Sequence, residues 1–100
     1  MHYTPPGTVT SPQDYVSNVQ VIFDGGPDRF SVAKLDWDGQ PCIAIRWNVA
    51  RREWDDPDKE SGKTTAVGMP SSRGYPVWFI LPDELLKRDS EIWKTIDGQL

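Results

Sequence analysis

Apolar and polar residues alternate in three stretches of the chain, the first two each followed by a glycine-containing turn. "VQVIF" sets Val19, Val21 and Phe23 against Gln20, the period of a strand. "DGGPD" follows, a turn cluster, and "RFSVAKL" reads as the return strand, so Asp24 to Asp28 closes a hairpin. In that return strand Phe30 and Val32 share one face while Leu35 and Trp37 share the other, which predicts a β-bulge near Ala33 and Lys34. Asp38-Gly39, a strong hairpin dipeptide, leads into "CIAIRWNV". Here the alternation is cleanest. Ile43, Ile45, Trp47 and Val49 point one way, towards the expected core, and Cys42, Ala44, Arg46 and Asn48 point the other.

Residues 50–72 are too long and polar for a plain connection. They read as a ragged hairpin, "ARREW" out, "DDPDKESG" at the tip and "KTTAVGM" back, with Thr65, Val67 and Met69 inward. "YPVWFIL" is apolar on both faces, with Val77, Phe79 and Leu81 opposite Trp78 and Ile80, which predicts a central strand with its back covered. The expected cover is a helix over "PDELLKRDSEIWKTIDG". Pro82 suits its first position, Gly98 its C-cap, and Leu85, Leu86, Ile92, Trp93 and Ile96 form its apolar stripe. Asp89 interrupts the stripe and predicts a kink or split after Arg88. Residues 1–18, proline-rich and poor in large aliphatics, bury too little to offset their ordering entropy and read as a flexible arm. The expected fold is α+β: one domain over residues 19–97, a twisted antiparallel sheet of four to five strands with one C-terminal helix packed on it.

Composition narrows the function. One hundred residues make one domain, and 37% hydrophobic residues with five tryptophans supply one modest core. A net charge of -4 with interleaved signs argues against a general nucleic-acid or anionic-membrane binder. No apolar run approaches the roughly 20 residues that span a bilayer, and the N-terminus has neither the basic start nor the apolar run of a signal peptide. With Cys42 as the single cysteine, a reducing, cytoplasmic setting is expected.

Catalytic chemistry finds little purchase. His2 is the only histidine and lies in the arm, so a histidine-dependent triad is not expected. Asp55, Asp56 and Asp58 approach the spacing of a calcium loop, but the glycine and glutamate of that motif are missing and Pro57 intervenes. They read as a solvated tip. Cys42 has no base beside it and reads as a buried structural thiol. "DGGPD" lies between strands, without the helix N-terminus of a phosphate cradle. No catalytic residue, metal ligand or cofactor is assigned.

Binding chemistry is better represented. Arg46 and Asn48 lie two apart on the non-core side of the cleanest strand, with Arg51 and Arg52 at its end. Arg73 lies in "SSRGYP", flanked by Ser72 and Tyr75, on a turn set by Gly74 and Pro76. If that turn folds beside the Arg46 strand, two guanidiniums, an amide and hydroxyls converge in a site for a carboxylate, a phosphate or an acidic peptide. The bland alternative pairs Arg46 with an aspartate across the sheet and leaves Arg73 to top a turn. Trp54, among charged neighbours, either anchors the long loop or awaits a partner. The first reading is therefore a non-catalytic module, monomer or weak dimer, that docks a protein partner through Arg46, Asn48, Trp54, Ser72, Arg73 and Tyr75. The second is a binder of single-stranded nucleic acid or nucleotide through Arg51, Arg52 and Lys63, with Trp54 as a stacking platform. The third is a small hydrolase using paired carboxylates.

"IAIRWN" and "SRGYPVWFILPDELL" resemble segments of small uncharacterised proteins from proteobacteria and their phages, over residues 19–97. The resemblance implies a bacterial cytosolic origin and brings no activity, cofactor or partner.

Overall fold

The alternating stretches pair as an antiparallel meander of β1 (Val16–Asp24), β2 (Phe30–Trp37) and β3 (Gln40–Trp47). After β3 come a 3-10 turn over Arg51–Asp55, the short helix α1 (Pro57–Glu60), a two-stranded hairpin of β4 (Ser71–Ser72) and β5 (Tyr75–Pro76), and β6 (Phe79–Ile80). A 3-10 turn over Asp83–Leu86 and the helix α2 (Glu91–Gln99) complete the chain. The computed structural model describes residues 1–99, the side chain of Ile92 excepted, so the place of Ile92 in the helical stripe lies outside the described residues. The four-stranded sheet runs in the order β1-β2-β3-β6, and the fold is α+β as the pattern predicts.

Local chemistry sets the turns. Asp38 and Gly39 close β2 on β3 with φ of 51° and 81°, the doubly left-handed form that twists with the strands. The predicted bulge in β2 is absent, since β2 and β3 pair without a break from Phe30↔Trp47 to Trp37↔Gln40. The irregularities lie in β1 instead, between Ser17 and Gln20 and between Val21 and Phe23. β2 needs no realignment because both faces of the sheet carry apolar side chains.

Within β3 the faces are the reverse of the expected ones, while Val49, just beyond it, is buried as expected. The side of β3 that carries Ala44, Arg46 and Asn48 is buried, joined on β2 by Ser31, Ala33 and Leu35. The other side, with Phe30, Val32, Ile43, Ile45, Trp47 and Phe79, faces outward, and Trp47 and Phe79 are about half exposed. Small residues on the inner face let other segments approach closely. Val9, Val16 and Trp78 fill that space with Ala33, Leu35 and Ala44, and this is the core.

Two segments change role as a result. Residues 1–18, expected as a flexible arm, lie against the sheet. Val9 is 1% exposed, and its carbonyl accepts the Trp78 indole N–H at 2.8 Å. The Thr4 N–H donates to the Ala66 carbonyl, and the Ala66 N–H donates to that of His2. Ordering these residues costs less than their composition suggests, because Pro6, Val9 and Val16 are buried and the prolines restrict the unfolded chain. "YPVWFIL", expected as a central strand, contributes β5 and a two-residue edge strand, and the N-terminal segment covers Trp78. The expected single helix is broken: a 3-10 turn ends at Leu86 and α2 begins at Glu91, so the break brackets the predicted split after Arg88, and Gly98 lies inside α2 rather than capping it. Trp93 is half-buried, donates its indole N–H to the Leu85 carbonyl and lies under the Arg88 guanidinium at 4.8 Å.

Trp78→Ala should therefore cost roughly 3–5 kcal/mol, the range for a buried aromatic, against about 1 kcal/mol or less for Trp93→Ala. Removing residues 1–10 should lower the urea midpoint as well, because Trp78 loses its cover. Equal losses for the two tryptophans, or an unchanged midpoint after the deletion, would show that the core is closed elsewhere.

Candidate functional site

The end of β3 is where the long connection returns to the sheet. Residues 50–72 are not a hairpin. Arg51–Asp55 forms a 3-10 turn, Asp56 caps α1 by accepting the Asp58 N–H at 3.0 Å, and Pro57 takes the first helical position. The aspartate spacing reminiscent of a calcium loop is thus a helix start. The chain then returns extended, with Ala66 and Gly68 buried, and of the expected inward set Thr65 and Met69 are exposed and Val67 is half-buried. Met69 exchanges both backbone bonds with Trp47, at 2.7 and 3.1 Å, which joins the loop to the sheet.

Two opposite charges hold this return. The Arg46 guanidinium, 2% exposed, donates to the carbonyls of Val67, Pro70 and Val77. The Glu53 carboxylate, 4% exposed, accepts the N–H groups of Ala50, Val67 and Gly68 at 2.7–2.8 Å and the Lys59 ammonium at 2.7 Å. Val67 is gripped on both its carbonyl and its N–H. Gly68, at φ 79°, has no room for a Cβ, which would collide with the Trp47 carbonyl and the Arg46 guanidinium. Burial lowers the Arg46 pKa to about 10, partly opposed by the Glu53 charge, so Arg46 stays protonated at neutral pH. Burial alone would raise the Glu53 pKa, but Lys59 and the three backbone donors outweigh it and hold the carboxyl below its ordinary value.

Asn48, 1% exposed, is equally committed. Its amide donates to Gly26 O at 2.8 Å and Asp24 Oδ1 at 3.1 Å and accepts the Ser31 hydroxyl at 2.7 Å, fixing the β1–β2 turn. Arg46 and Asn48, expected on the open side, therefore sit on the buried side, and the expected aspartate partner of Arg46 is replaced by backbone carbonyls. Ser72, Arg73 and Tyr75 lie exposed on the β4–β5 hairpin, and Trp54, 38% exposed, stands with Arg51 beside the sheet. Arg46 reaches the base of the hairpin and Arg73 occupies its tip.

What the sheet presents outward is a row of large apolar side chains. Phe30, Ile45, Trp47, Met69, Pro70 and Phe79 line a groove of about 480 Å³. A second groove of about 370 Å³ shares Trp47 and Met69 and adds Val49, Arg51 and Trp54. Arg29 lies over the Phe23 and Phe30 rings at 5.0 and 5.4 Å, at the margin of the same face. Cys42 packs against the core, and burial, with Asp36 and Asp83 nearby, raises its pKa. Among the described residues no three His, Cys, Asp or Glu side chains are grouped to hold a metal. No helix there is long and apolar enough to cross a membrane. Comparison with known family models, curated proteins and solved structures gives no match.

Sequence reasoning missed Glu53 and Gly68. The only local signal is that Glu53 stands three residues after Ala50, the spacing at which an acid reaches back to the N–H opening a helical turn. A carboxyl whose pKa falls on folding adds stability that is fully present above its unfolded value and is lost as pH falls through the folded value. Glu53→Gln should cost roughly 1.5–3 kcal/mol at neutral pH, the range for hydrogen bonds to a charged group. It should also flatten the acid side of a stability-against-pH curve. A variant that keeps the wild-type acid limb would show that the Glu53 charge does not hold the loop.

Proposed function

We propose that the protein is a non-catalytic binding module that docks a protein partner on the outer face of its sheet. The observation that carries this is the contiguous exposure of Trp47, Met69 and Phe79, each about half exposed, around the larger groove. A small domain gains stability by burying such groups, so a grouped exposed set points to a partner. Aromatic, methionine and arginine side chains are the types concentrated at the centres of protein interfaces, and Trp54 and Arg51 extend the set into the second groove. Of the expected site residues, Trp54, Ser72, Arg73 and Tyr75 stay on this accessible surface, while Arg46 and Asn48 support it from within. A cytosolic bacterial setting rests on the sequence resemblance and the single cysteine.

The second reading, single-stranded nucleic acid, is favoured by one observation: Trp54 and Arg51 line the same groove and Arg52 is exposed beside them. Stacking on tryptophan with arginine at the backbone is how such binders work, and their affinity drops steeply with salt through counterion release.

Two variants on the outer face test the choice. Met69→Lys and Phe79→Lys replace exposed side chains and should leave the melting curve close to wild type. A protein captured by the wild type from cell lysate, retained after nuclease treatment and lost with either variant is the expected result. Capture that survives both variants removes the outer face as the docking surface. Saturable binding of an oligothymidylate of roughly 16 nucleotides, weakening steeply with salt, would establish the second reading instead.

A further inference from the structure

Two turns of the molecule share one geometry and differ in sequence. Asp38-Gly39 and Arg73-Gly74 each close a two-residue hairpin, with φ of 51° and 81° in the first and 53° and 81° in the second. Doubly positive φ marks the turn for which Asn-Gly and Asp-Gly are preferred. The first turn has such a pair. The second places arginine in the left-handed region, where its Cβ is crowded and where Asn or Asp is better tolerated. Turn formation therefore gives no reason for an arginine at position 73.

The placement of the hairpin supplies one. Met69 pairs with Trp47 and Phe79 pairs with Ile45, so residues 70–78 leave and re-enter the sheet margin between two outer-face positions. Pro70 and Phe79, at the two ends of this excursion, both line the larger groove. Arg46 bonds the carbonyls of Pro70 and Val77, tying the two stems together at the base. A finger with a fixed base thus rises from the edge of the groove, with Arg73 at its tip and Tyr75, 66% exposed, on its side. The charged residues that line the two grooves are Arg46 and Arg51, with no carboxylate. Among the described residues neither Arg51 nor Arg73 has a carboxylate within ion-pair distance.

Resting on the docking reading above, the geometry points to a partner segment that seats apolar side chains in the Trp47–Met69–Phe79 groove and carries an adjacent Asp or Glu bound by Arg73. The guanidinium presents a planar fork that a carboxylate meets with two parallel hydrogen bonds, and a lysine cannot reproduce it. A chain of net charge -4 does not draw acidic partners from a distance. The finger therefore selects at contact, once the apolar side chains are seated.

A phage-displayed library of random linear peptides, selected on the wild-type protein, tests this. Enriched peptides should pair apolar residues with a neighbouring Asp or Glu. As synthetic peptides they should bind Arg73→Asn roughly five- to tenfold more weakly, with Arg73→Lys in between. Arg73→Asn should melt no lower than wild type, since Asn suits the turn, and this separates lost recognition from lost folding. Failure to enrich any peptide, enrichment without an acidic preference, or equal binding to Arg73→Asn overturns the inference. Peptides that need Phe79 but ignore Arg73 overturn the acidic finger and leave the docking reading standing. Peptides indifferent to Phe79→Lys and Arg73→Asn alike overturn both.

Discussion

The opposed grip of Arg46 and Glu53 on one stretch of backbone is the constraint on which the rest of the structure depends. A polar connection returning beneath a sheet would bury N–H and carbonyl groups without partners, each at a cost of about 1–3 kcal/mol. Arg46 supplies donors to the carbonyls and Glu53 supplies acceptors to the N–H groups, with Val67 held by both. Burying a guanidinium is costly, as its lowered pKa shows, and the carbonyls of Val67, Pro70 and Val77 offset that cost. With the return fixed, Met69 is delivered to Trp47 and the hairpin that carries Arg73 is set beside Phe79. The groove exists because the clamp closes.

The same clamp decides which face of the sheet is inside. Alternation in "CIAIRWNV" separates two sets of side chains but does not say which set is buried. The usual rule, apolar inward, selects Ile43, Ile45 and Trp47. It fails because Arg46 and Asn48 each have backbone or side-chain partners waiting on the inner side, and because Ala33 and Ala44 are small enough to admit Trp78 and Val9. Those partners come from distant parts of the chain, Val9 and Trp78 being 69 residues apart. The first three strands, the Asp38-Gly39 turn and a break in the C-terminal helical segment are legible because their causes are local. The buried face is not, nor is the packing of residues 1–18, because each depends on what arrives from far along the sequence.

The candidate site was legible in the same partial way. Trp54, Ser72, Arg73 and Tyr75 were singled out by residue type in an unusual local setting, and all four are on the accessible surface. Arg46 and Asn48 were singled out by the alternation, and there the inversion of faces moved them from the site to its foundation. The apolar lining was hidden in plain view. The alternation assigns Ile45, Trp47 and Phe79 to the core because a sequence pattern registers hydrophobicity without registering exposure.

The edges of the sheet bear on why the proposed docking surface is the face rather than an edge. An open edge strand invites another chain to add to the ladder, and proteins suppress this with bulges, short strands and prolines. β1, one edge, is broken by two register shifts, with Asn18 at φ 54° inside the first. β6, the other, is two residues long and Pro82 follows closely behind it. Neither offers a partner a regular row of unpaired backbone groups. The outer face carries no such protection: its aromatic and methionine side chains stand open, with arginines at the margin and no carboxylate in the two grooves. A molecule that closes its edges and leaves one apolar face open restricts association to surfaces that match side chains, and under the docking reading proposed above selectivity would come from groove shape and from the charged tip beside it.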